Sequence, residues 1–507
     1  MSAYIALTLG PITRVIALAK KTRGMWAASY LFSYLAKHII EPFKERNFIL
    51  PYMASELFKE QSKGVGAFPD RYIFASQEGD FESLADSVNK TFEELAANLI
   101  PKDVVGQKKL QKLLIQYFKV YFLEINRNDG IEERRFVDEC ERQLALLEHR
   151  EAFIPSLADN EHYLSRMFNA KNKDMRLMDF LLHDAGIIDF KSIVEITSQD
   201  EDSNILPEKP YQRYIAIVSA DGDSMGKAFA EATDISTLSR QLLNFNRMAI
   251  DTINRFDGQP VFIGGDDLFF FAPIYNPGKG SVFSLLQQLE GDFRSALGVD
   301  SPATLSFGIS ITYVKYPMSE AVRLSQVLLD DAKGRYVDSK FTPLKNNILF
   351  SVQKHSGHTR GALLHKGCVE TMKIFNELAD KYISVKNDKE EEETGALFLR
   401  SVMHNLREHE PLLLNAIVNS NLLHNYFVNN YNEPTHKGYN DFFSDIQNLM
   451  LTAYAEYGDR IEALKALMPP ADDGVERPKS YDAAFAAIDL VYALLQFIHL
   501  VNSKNDE

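Results

Sequence analysis

Short apolar blocks alternate with stretches of helical spacing along the first 125 residues. The predicted elements, in chain order, are a strand at 4–9, a helix at 12–45, a strand at 68–76, a helix at 80–98 and a strand at the end of 112–125. Gly10 and Pro11 end the first strand, and the apolar residues after them follow the 3.6-residue period of a helix. The alternation of strand and helix predicts a first α/β domain.

A second set of strands and helices begins near residue 206. The run YIAIVSAD at 214–221 is mostly apolar, which is typical of a strand that is covered on both faces of its sheet. The elements predicted after it are a helical segment at 225–256, a hairpin at 260–273, a helix at 281–297, a strand at 305–314, a helix at 317–334 and a strand at 347–352. This is the βαββαβ order of ferredoxin-like domains, with one helix and one strand added.

Helical spacing dominates the other two regions, and a polar, proline-containing stretch at 199–210 predicts a linker. We therefore expect an α+β protein with four domains. They are an α/β domain at 1–125, a helical domain at 126–205, a ferredoxin-like domain at 206–355 and a helical domain at 356–507.

The composition is that of a soluble protein with several domains. The chain has 507 residues, of which 45% are hydrophobic and 25% are charged. We find no run of about 18 uncharged apolar residues, so we expect no membrane span and a cytoplasmic location. Two cysteines exclude a disulfide framework and a four-cysteine zinc site. The formal net charge of -15 indicates that any nucleic acid is held locally or through partner proteins.

Two adjacent carboxylates lie in the middle of the predicted hairpin VFIGGDDLFFFAP. Side chains alternate between faces along a regular strand, so Asp266 and Asp267 cannot both serve one site from within a strand. Gly264 and Gly265 supply the conformational freedom of a tight turn. We therefore expect both carboxylates at the tip of the hairpin, which the apolar arms anchor in the sheet.

A second acidic cluster, ADGDSMG, ends the strand at 214–221. In a ferredoxin-like sheet this strand neighbours the hairpin, so Asp221 is expected beside Asp266 and Asp267. Converging carboxylates repel one another unless a cation lies between them, and hard oxygen ligands suit Mg²⁺ or Mn²⁺. Two such ions can hold a nucleoside triphosphate and activate a hydroxyl for attack on its α-phosphate.

Other residues near the carboxylates are expected to complete a nucleotide site. Gly222 can offer its carbonyl oxygen to a cation, and Asp223 belongs to the same loop. The ordinary alternative is that DGD is a turn and GGDD a hairpin loop. The two motifs each end a strand and lie 45 residues apart (266 − 221), and this combination favours a functional site.

Several stretches resemble the large polymerase-cyclase subunit of type III CRISPR effector complexes, a palm-domain relative of GGDEF diguanylate cyclases. They are IVSADGDSMGK, IGGDDLFFF, SFGISITYVKYPMSEAVRLSQVLLDDAKG and KNNILFSVQKHSG. The stretch GPITRVIALAKKTRGMWAASYLFSYL is similar to the first palm domain of the Cmr branch. The resemblance implies two ferredoxin-like, nucleotide cyclase-like palm domains at 1–125 and 206–355, with helical domains between and after them.

The resemblance also implies roles for single residues. Asp221, Asp266 and Asp267 correspond to metal ligands. Lys333 in DDAKG matches a lysine that approaches the triphosphate, and the alternative is a solvent-exposed lysine at a helix end. In AASYLFS, the residues Ser29, Tyr30 and Ser33 match the nucleotide-facing part of the first palm, or else form a packing face.

Many relatives carry an N-terminal HD nuclease domain, and we expect none here, because the first palm begins at the N-terminus. The pair His183–Asp184 lies in mid-chain, without further histidines at a suitable spacing, and predicts a helix end.

The resemblance implies an enzyme that binds ATP and makes cyclic oligoadenylate. It further implies other type III subunits, CRISPR RNA and target RNA as partners, with RNA binding as the trigger. Transfer of AMP from ATP to S-adenosylmethionine is an alternative that sequence does not separate from this activity. A catalytically silent scaffold and a stand-alone diguanylate cyclase are the two rival functions.

Overall fold

The computed structural model describes most of the chain. The described residues are 2–53, 58, 64–66, 68–149, 157–169, 176–187, 190–198, 209–231, 234–298, 300–334, 345–354, 359–382, 389–431, 439–467 and 482–502. Most of the predicted linker at 199–210 lies outside them. The predicted mixed α+β fold class is confirmed.

The first sheet has the ferredoxin-like topology. Its elements are β1 (Ser2–Gly10), α1 (Ile12–Ala17), α2 (Thr22–Ile40), β2 (Phe48–Leu50), β3 (Arg71–Ala75), α3 (Asp80–Leu99), α4 (Val104–Tyr117) and β4 (Lys119–Arg127). The strand order is β2-β3-β1-β4, and every pair is antiparallel. The sequence analysis missed β2, because three residues are too few to show a strand period.

The segment after the first sheet is helical, as predicted. It contains α5 (Glu133–Glu148), α6 (Leu157–Phe168), α7 (Arg176–Ala185) and α8 (Ile193–Ser198). The pair His183–Asp184 lies at the end of α7, which confirms the predicted helix end. The Tyr30 hydroxyl on α2 donates a hydrogen bond to Asp184 Oδ2 at 2.8 Å, so this carboxylate helps to join α7 to the first palm-like sheet.

The second sheet repeats the ferredoxin-like order and extends it. Its elements are β5 (Tyr214–Asp223), α9 (Met225–Glu231), α10 (Ile235–Arg255), β6 (Gln259–Gly264), β7 (Asp267–Pro273), β8 (Tyr275–Asn276), β9 (Gly280–Ser281), α11 (Val282–Leu297), β10 (Thr304–Tyr313), α12 (Met318–Ala332), β11 (Asn347–Gln353) and β12 (Thr359–His365). The small β8–β9 pair stands apart, and the strand order of the main sheet is β12-β11-β10-β5-β7-β6. The parallel pair β10–β11 is connected through α12.

Strand β12 corrects the expectation that the chain is helical from residue 356 onward. Gly361 explains how this short segment pairs so closely with β11. A Cβ atom at Gly361 would lie 2.2 Å from the Phe350 carbonyl oxygen, so the register requires glycine. A polar stretch precedes the strand, and it hid the strand from the sequence analysis.

After β12 the described residues form the helices α13 (Val369–Lys381), α14 (Lys389–Glu408), α15 (Glu410–Ala416), α16 (Ser420–Asn430), α17 (Asn440–Leu467) and α18 (Ala483–Asn502). Helix α18 is long and apolar enough to cross a membrane by these two criteria alone, with Asp489 in its sequence. Because Asp489 interrupts the apolar residues, this helix is not an uncharged run of 18, and the expectation of no membrane span stays a prediction. Of this apolar window, 78% is buried inside the protein, as in the core helix of a globular domain.

His499 on α18 predicts a loss of stability in acid. Burial, with the charges of Lys354 and Arg400, lowers the pKa of His499 to about 3, and its Nε2 accepts a hydrogen bond from Arg400 Nε at 3.2 Å. In the unfolded chain His499 takes up a proton near pH 6.5, whereas in the folded chain it stays neutral at that pH. The folded state therefore becomes less stable relative to the unfolded state as the pH falls below 6.5.

We expect His499→Gln to reduce this sensitivity, because glutamine offers Arg400 an acceptor that does not protonate. Thermal melting at pH 7.5 and pH 5.5 measures the effect. The parent should lose more of its melting temperature between the two pH values than the variant does. An equal loss in both proteins would show that His499 is not responsible.

Candidate nucleotide site on the second sheet

The predicted hairpin is formed by β6 and β7. Gly264 pairs with Asp267, which leaves Gly265 and Asp266 as a two-residue loop. Gly265 has a φ of +65°, and glycine at the first loop position is what a type II′ turn requires. Asp266 therefore lies in the turn, whereas Asp267 begins β7. The carboxylates are adjacent at the tip, as predicted, although they occupy different structural positions.

Strand β5 brings Asp221 and Gly222 beside this turn. The register of β5 with β7 pairs Ala220 with Leu268, and its continuation by one residue places Asp221 opposite Asp267. Gly222 lies against Asp266. A Cβ atom at Gly222 would lie 2.5 Å from Asp266 Oδ2, so only glycine lets the two strand ends approach this closely.

Lys333, just after α12, contacts the end of β5. Its side chain is only 5% exposed, and Nζ lies 2.5 Å from Asp221 Oδ2 and 3.9 Å from Asp223 Oδ1. Nζ also donates a hydrogen bond to the Gly222 carbonyl oxygen at 2.8 Å. The interpretation of Lys333 as a solvent-exposed lysine is therefore wrong. The Gly222 carbonyl, which we expected to face a cation, instead accepts from this ammonium group.

Asp223, which we expected in the nucleotide site, is buried and hydrogen-bonded to neighbouring strands. It is 1% exposed, and its Oδ2 accepts hydrogen bonds from Thr304 Oγ1 at 3.0 Å, Ser306 Oγ at 2.7 Å and Asn346 N at 2.8 Å. These bonds tie the end of β5 to β10 and to the start of β11. Its burial does not favour a contact with the nucleotide, and that contact stays a prediction.

The serines of α2 are also buried. Ser29 is 5% exposed and Ser33 is 7% exposed, which fits the packing alternative better than direct contact with a nucleotide. Ser33 Oγ accepts a hydrogen bond from Phe68 N at 3.0 Å, and Gly66 lies so close that a Cβ atom there would be 2.5 Å from Ser33 Cβ. Ser33 therefore contacts both Gly66 and Phe68 from the buried side.

Burial and mutual repulsion dominate the electrostatics of the turn. Burial, together with the Asp221 charge, raises the pKa of Asp266 to about 6. Burial, with the charges of Asp266 and Asp221, raises the pKa of Asp267 to about 7, although one side of Asp267 stays open to solvent. Lys333 opposes both shifts. Negative charge at this strand end is therefore costly without added positive charge.

Asp70 is a further carboxylate that the sequence analysis did not single out. It precedes β3 of the first sheet, and burial raises its pKa. Its charge also contributes to the raised pKa of Asp267. The first sheet therefore adds negative charge to the site on the second. Nothing in the local sequence marks Asp70 except its place before a strand.

A cavity of about 180 Å³ lies beside the turn, between the two sheets. Its lining includes Leu50, Tyr52, Met53, Gly66 and Phe68 before β3, and Phe229, Leu242, Phe262, Gly265 and Asp266 of the second sheet and its helices. The two sides are joined by a hydrogen bond of 2.7 Å from Tyr52 N to Ser239 Oγ. The cavity is mainly apolar, with a carboxylate at one end, as is usual for small-molecule sites.

The donor chemistry fits a hard divalent cation, because the raised pKa values of the aspartates reflect negative charge that such an ion would offset. Among the residues that the structure describes, however, no three His, Cys, Asp or Glu side chains stand at the spacing of ligands around a metal ion. Asp221 is held by Lys333 at 2.5 Å. The metal-ligand role of Asp221, Asp266 and Asp267 stays a prediction.

Two family matches follow the two sheets. Residues 4–101 match the family described as CRISPR-associated protein Cmr2, N-terminal, and residues 214–340 match Cas10/Cmr2, second palm domain. Over these two segments the chain is similar to the Cas10/Cmr2 family. The second match contains Asp221, Asp266, Asp267 and Lys333, so the candidate site lies within the second palm domain. The family resemblance inferred from sequence is confirmed, and the absence of an HD domain stays a prediction.

Known proteins resemble the chain over different lengths. The Cmr2 subunit of the Pyrococcus furiosus CRISPR system Cmr is 25% identical over 225 residues, which is 39% of this chain and 24% of that protein. A Csm1–Csm4 cassette in complex with pppApApA has a TM-score of 0.50 at 10% identity, covering 98% of this chain and 69% of the other. A type III-B Cmr-beta structure in its apo state has a TM-score of 0.48 at 11% identity, covering 99% and 82%. At 10% identity, the TM-score of 0.50 shows that the chain shares its fold with the Csm1–Csm4 cassette.

Lys333→Met tests whether Lys333 holds the end of β5. The substitution leaves Asp221 and Asp223 without their buried counter-charge, so we expect a loss of about 3 kcal/mol, the usual cost of breaking a buried ion pair. Thermal melting measures it. Lys227→Met is the control, because the Lys227 side chain is 64% exposed and its ion pair with Glu231 is weak.

Adding Asp221→Asn to Lys333→Met should recover part of the lost stability, because it removes one of the uncompensated charges. If Lys333→Met melts like the Lys227→Met control, the ion pair contributes nothing measurable.

Proposed function

We propose that the chain is an RNA-activated nucleotidyltransferase that makes a signalling nucleotide from ATP at the second palm domain. The observation that carries this proposal is the meeting of Asp221, Asp266 and Asp267 at adjoining strand ends beside the cavity. The proposed product is cyclic oligoadenylate. The proposed setting is a cytoplasmic type III CRISPR effector complex, in which partner subunits, CRISPR RNA and target RNA control the site.

The three aspartates would hold Mg²⁺ or Mn²⁺, as the charge of the site favours. Divalent ions, when bound, supply positive charge to the triphosphate and lower the pKa of the attacking hydroxyl. The glycine at 265 lets the turn present Asp266 without strain. Lys333 keeps the end of β5 in place and offsets part of the local negative charge. No side chain is needed as a general base in this scheme.

The apolar cavity supports binding of a purine base next to the turn. Met53, Phe68 and Phe262 contribute to its wall, and such side chains pack against a flat ring and exclude water. Its position between the two sheets fits a nucleotide that contacts both palm domains. The pppApApA ligand of the Csm1–Csm4 cassette with a similar fold supports adenosine nucleotides as substrates.

The surrounding complex is part of the proposal. The named relatives are a subunit of the Cmr system and the Csm1–Csm4 cassette, and this supports other subunits of such a complex as partners. The net charge of -15 favours RNA contacts that are local or shared with those subunits.

Asp266→Ala and Asp267→Ala, made separately, test the proposed site. In the RNA-bound complex with ATP and Mg²⁺, we expect product formation to fall by at least about 100-fold in each variant, because charge stabilisation at the reacting phosphate is lost. Mass spectrometry identifies and counts the products. Asp86→Ala, an exposed aspartate on α3, is the matched control and should retain parental activity.

A parallel reaction with S-adenosylmethionine identifies the acceptor. Oligoadenylates in both reactions support the proposed product. A conjugate that forms only with S-adenosylmethionine would reassign the acceptor and leave the site unchanged. Parental activity in both aspartate variants would refute the site, and no product from the RNA-bound parent would favour a scaffold.

A further inference from the structure

Helix α10 reaches the GGDD turn through one side chain, Asn246. With its amide oriented so that each atom meets a complementary partner, Asn246 Nδ2 donates to the Gly265 carbonyl oxygen at 2.8 Å and to the Leu242 carbonyl oxygen at 3.3 Å. Its Oδ1 accepts from Gly265 N at 3.0 Å. One amide therefore binds both backbone polar groups of the residue that precedes Asp266.

Within the part of the chain that the structure describes, Gly265 itself is held by neither side-chain packing nor the strand ladder. A Cβ atom built at Gly265 would meet no other atom within 4 Å, so side-chain packing does not wedge the loop. The strand ladder ends at the pair Gly264–Asp267, so Gly265 lies beyond its last pair. Because glycine has the freest backbone of all residues, a two-residue loop that begins with one needs such bonds to keep one geometry.

The same face of α10 also binds the first sheet. Ser239 lies seven residues, two helical turns, before Asn246, and its Oγ accepts the hydrogen bond from Tyr52 N at 2.7 Å. The guanidinium of Arg240 stacks 4.3 Å above the ring centre of Tyr52. The side chain of Asp234 caps the helix by accepting from the backbone N–H groups of Ser236 and Thr237. A rigid helix therefore joins the cavity wall before β3 to the turn.

We propose that Asn246 is a positioning residue that fixes the GGDD turn, so that Asp266 and Asp267 have the orientation that the reaction needs. This inference rests on the proposed function of the second palm domain. Asn246 also lines the cavity, but the proposed role does not depend on a contact with substrate. Its effect passes through the Gly265 peptide, and α10 makes that peptide's position depend on the first palm domain.

Asn246→Ala is the test, with Asn244→Ala as the matched control. Asn244 is the same residue type, two positions away on the same helix, and is exposed. In the RNA-bound complex we expect kcat of Asn246→Ala to fall about 10- to 100-fold, as for a small misplacement of reacting groups, with the ATP KM within about 3-fold of the parent. The control should keep both constants.

Two readouts do not depend on turnover. Hydrogen exchange of the peptide that spans 262–268 should speed up about 10-fold in Asn246→Ala, since Gly265 N–H loses its acceptor. The Mn²⁺ concentration for half-saturation, followed by electron paramagnetic resonance, should rise several-fold in the same variant. Neither value should change in Asn244→Ala.

If Asn246→Ala lowers the melting temperature so far that it cannot be assayed, Asn246→Asp replaces it as the test variant. It has the same size and keeps an acceptor for Gly265 N–H, but it points a second oxygen at the Gly265 carbonyl, so we again expect faster exchange and a lower kcat. Unchanged exchange or unchanged kcat in folded variants overturns the proposal. If the parent forms no product, the proposed function fails, and exchange together with Mn²⁺ affinity decides the role of Asn246. A parent that neither binds Mn²⁺ nor forms product overturns both.

Discussion

Repulsion between carboxylates at one end of the second sheet is the constraint around which the site is built. Asp266 and Asp267 have pKa values raised to about 6 and about 7, because burial and neighbouring negative charges both disfavour ionisation. A fold tolerates such a cluster only when other interactions hold the strand ends together. At this site those interactions are the apolar arms of the hairpin, the close approach of Gly222 to Asp266, and the buried ammonium of Lys333.

The interactions that hold these strand ends come from different parts of the sequence. The side chains of β7 are buried from Leu268 to Pro273 and fix the strand in the core. Asp223, three-fold hydrogen-bonded through one oxygen, ties β5 to β10 and β11, so the end of β5 cannot drift. Lys333 then reaches the same strand end from α12. A substitution at any of these positions would change the site through the backbone that carries the aspartates.

Features that depend on neighbouring residues could be predicted from the sequence, whereas features that depend on distant segments could not. The hairpin, its Gly-Gly turn and the strand before Asp221 have strong local signals, namely long apolar runs and glycine in a tight turn, and they were predicted correctly. Strand β2 has three residues, and β12 depends on the register that Gly361 permits against Phe350, so neither has a local period. The sequence analysis named Lys333, Asp223 and Ser33 as candidates. It did not predict their burial, because that depends on segments far away in the sequence. Asp70 and Asn246 act across such distances as well and carry no motif.

The domain of the first sheet contributes to the site through the same kind of long-range contact. Its serines on α2 do not face open solvent. Ser33 instead accepts a hydrogen bond from Phe68 N, and Gly66 and Phe68 both line the cavity. Asp70 adds to the negative charge at Asp267, and Tyr52 is bound by Ser239 and Arg240 of α10. A shift of the first domain would therefore change the cavity wall, the charge at the turn and the seat of α10 together. The cavity wall, the charge of Asp70 and the contacts of Tyr52 with α10 all involve the first domain. A partner that moves this domain would therefore change the surroundings of the aspartates.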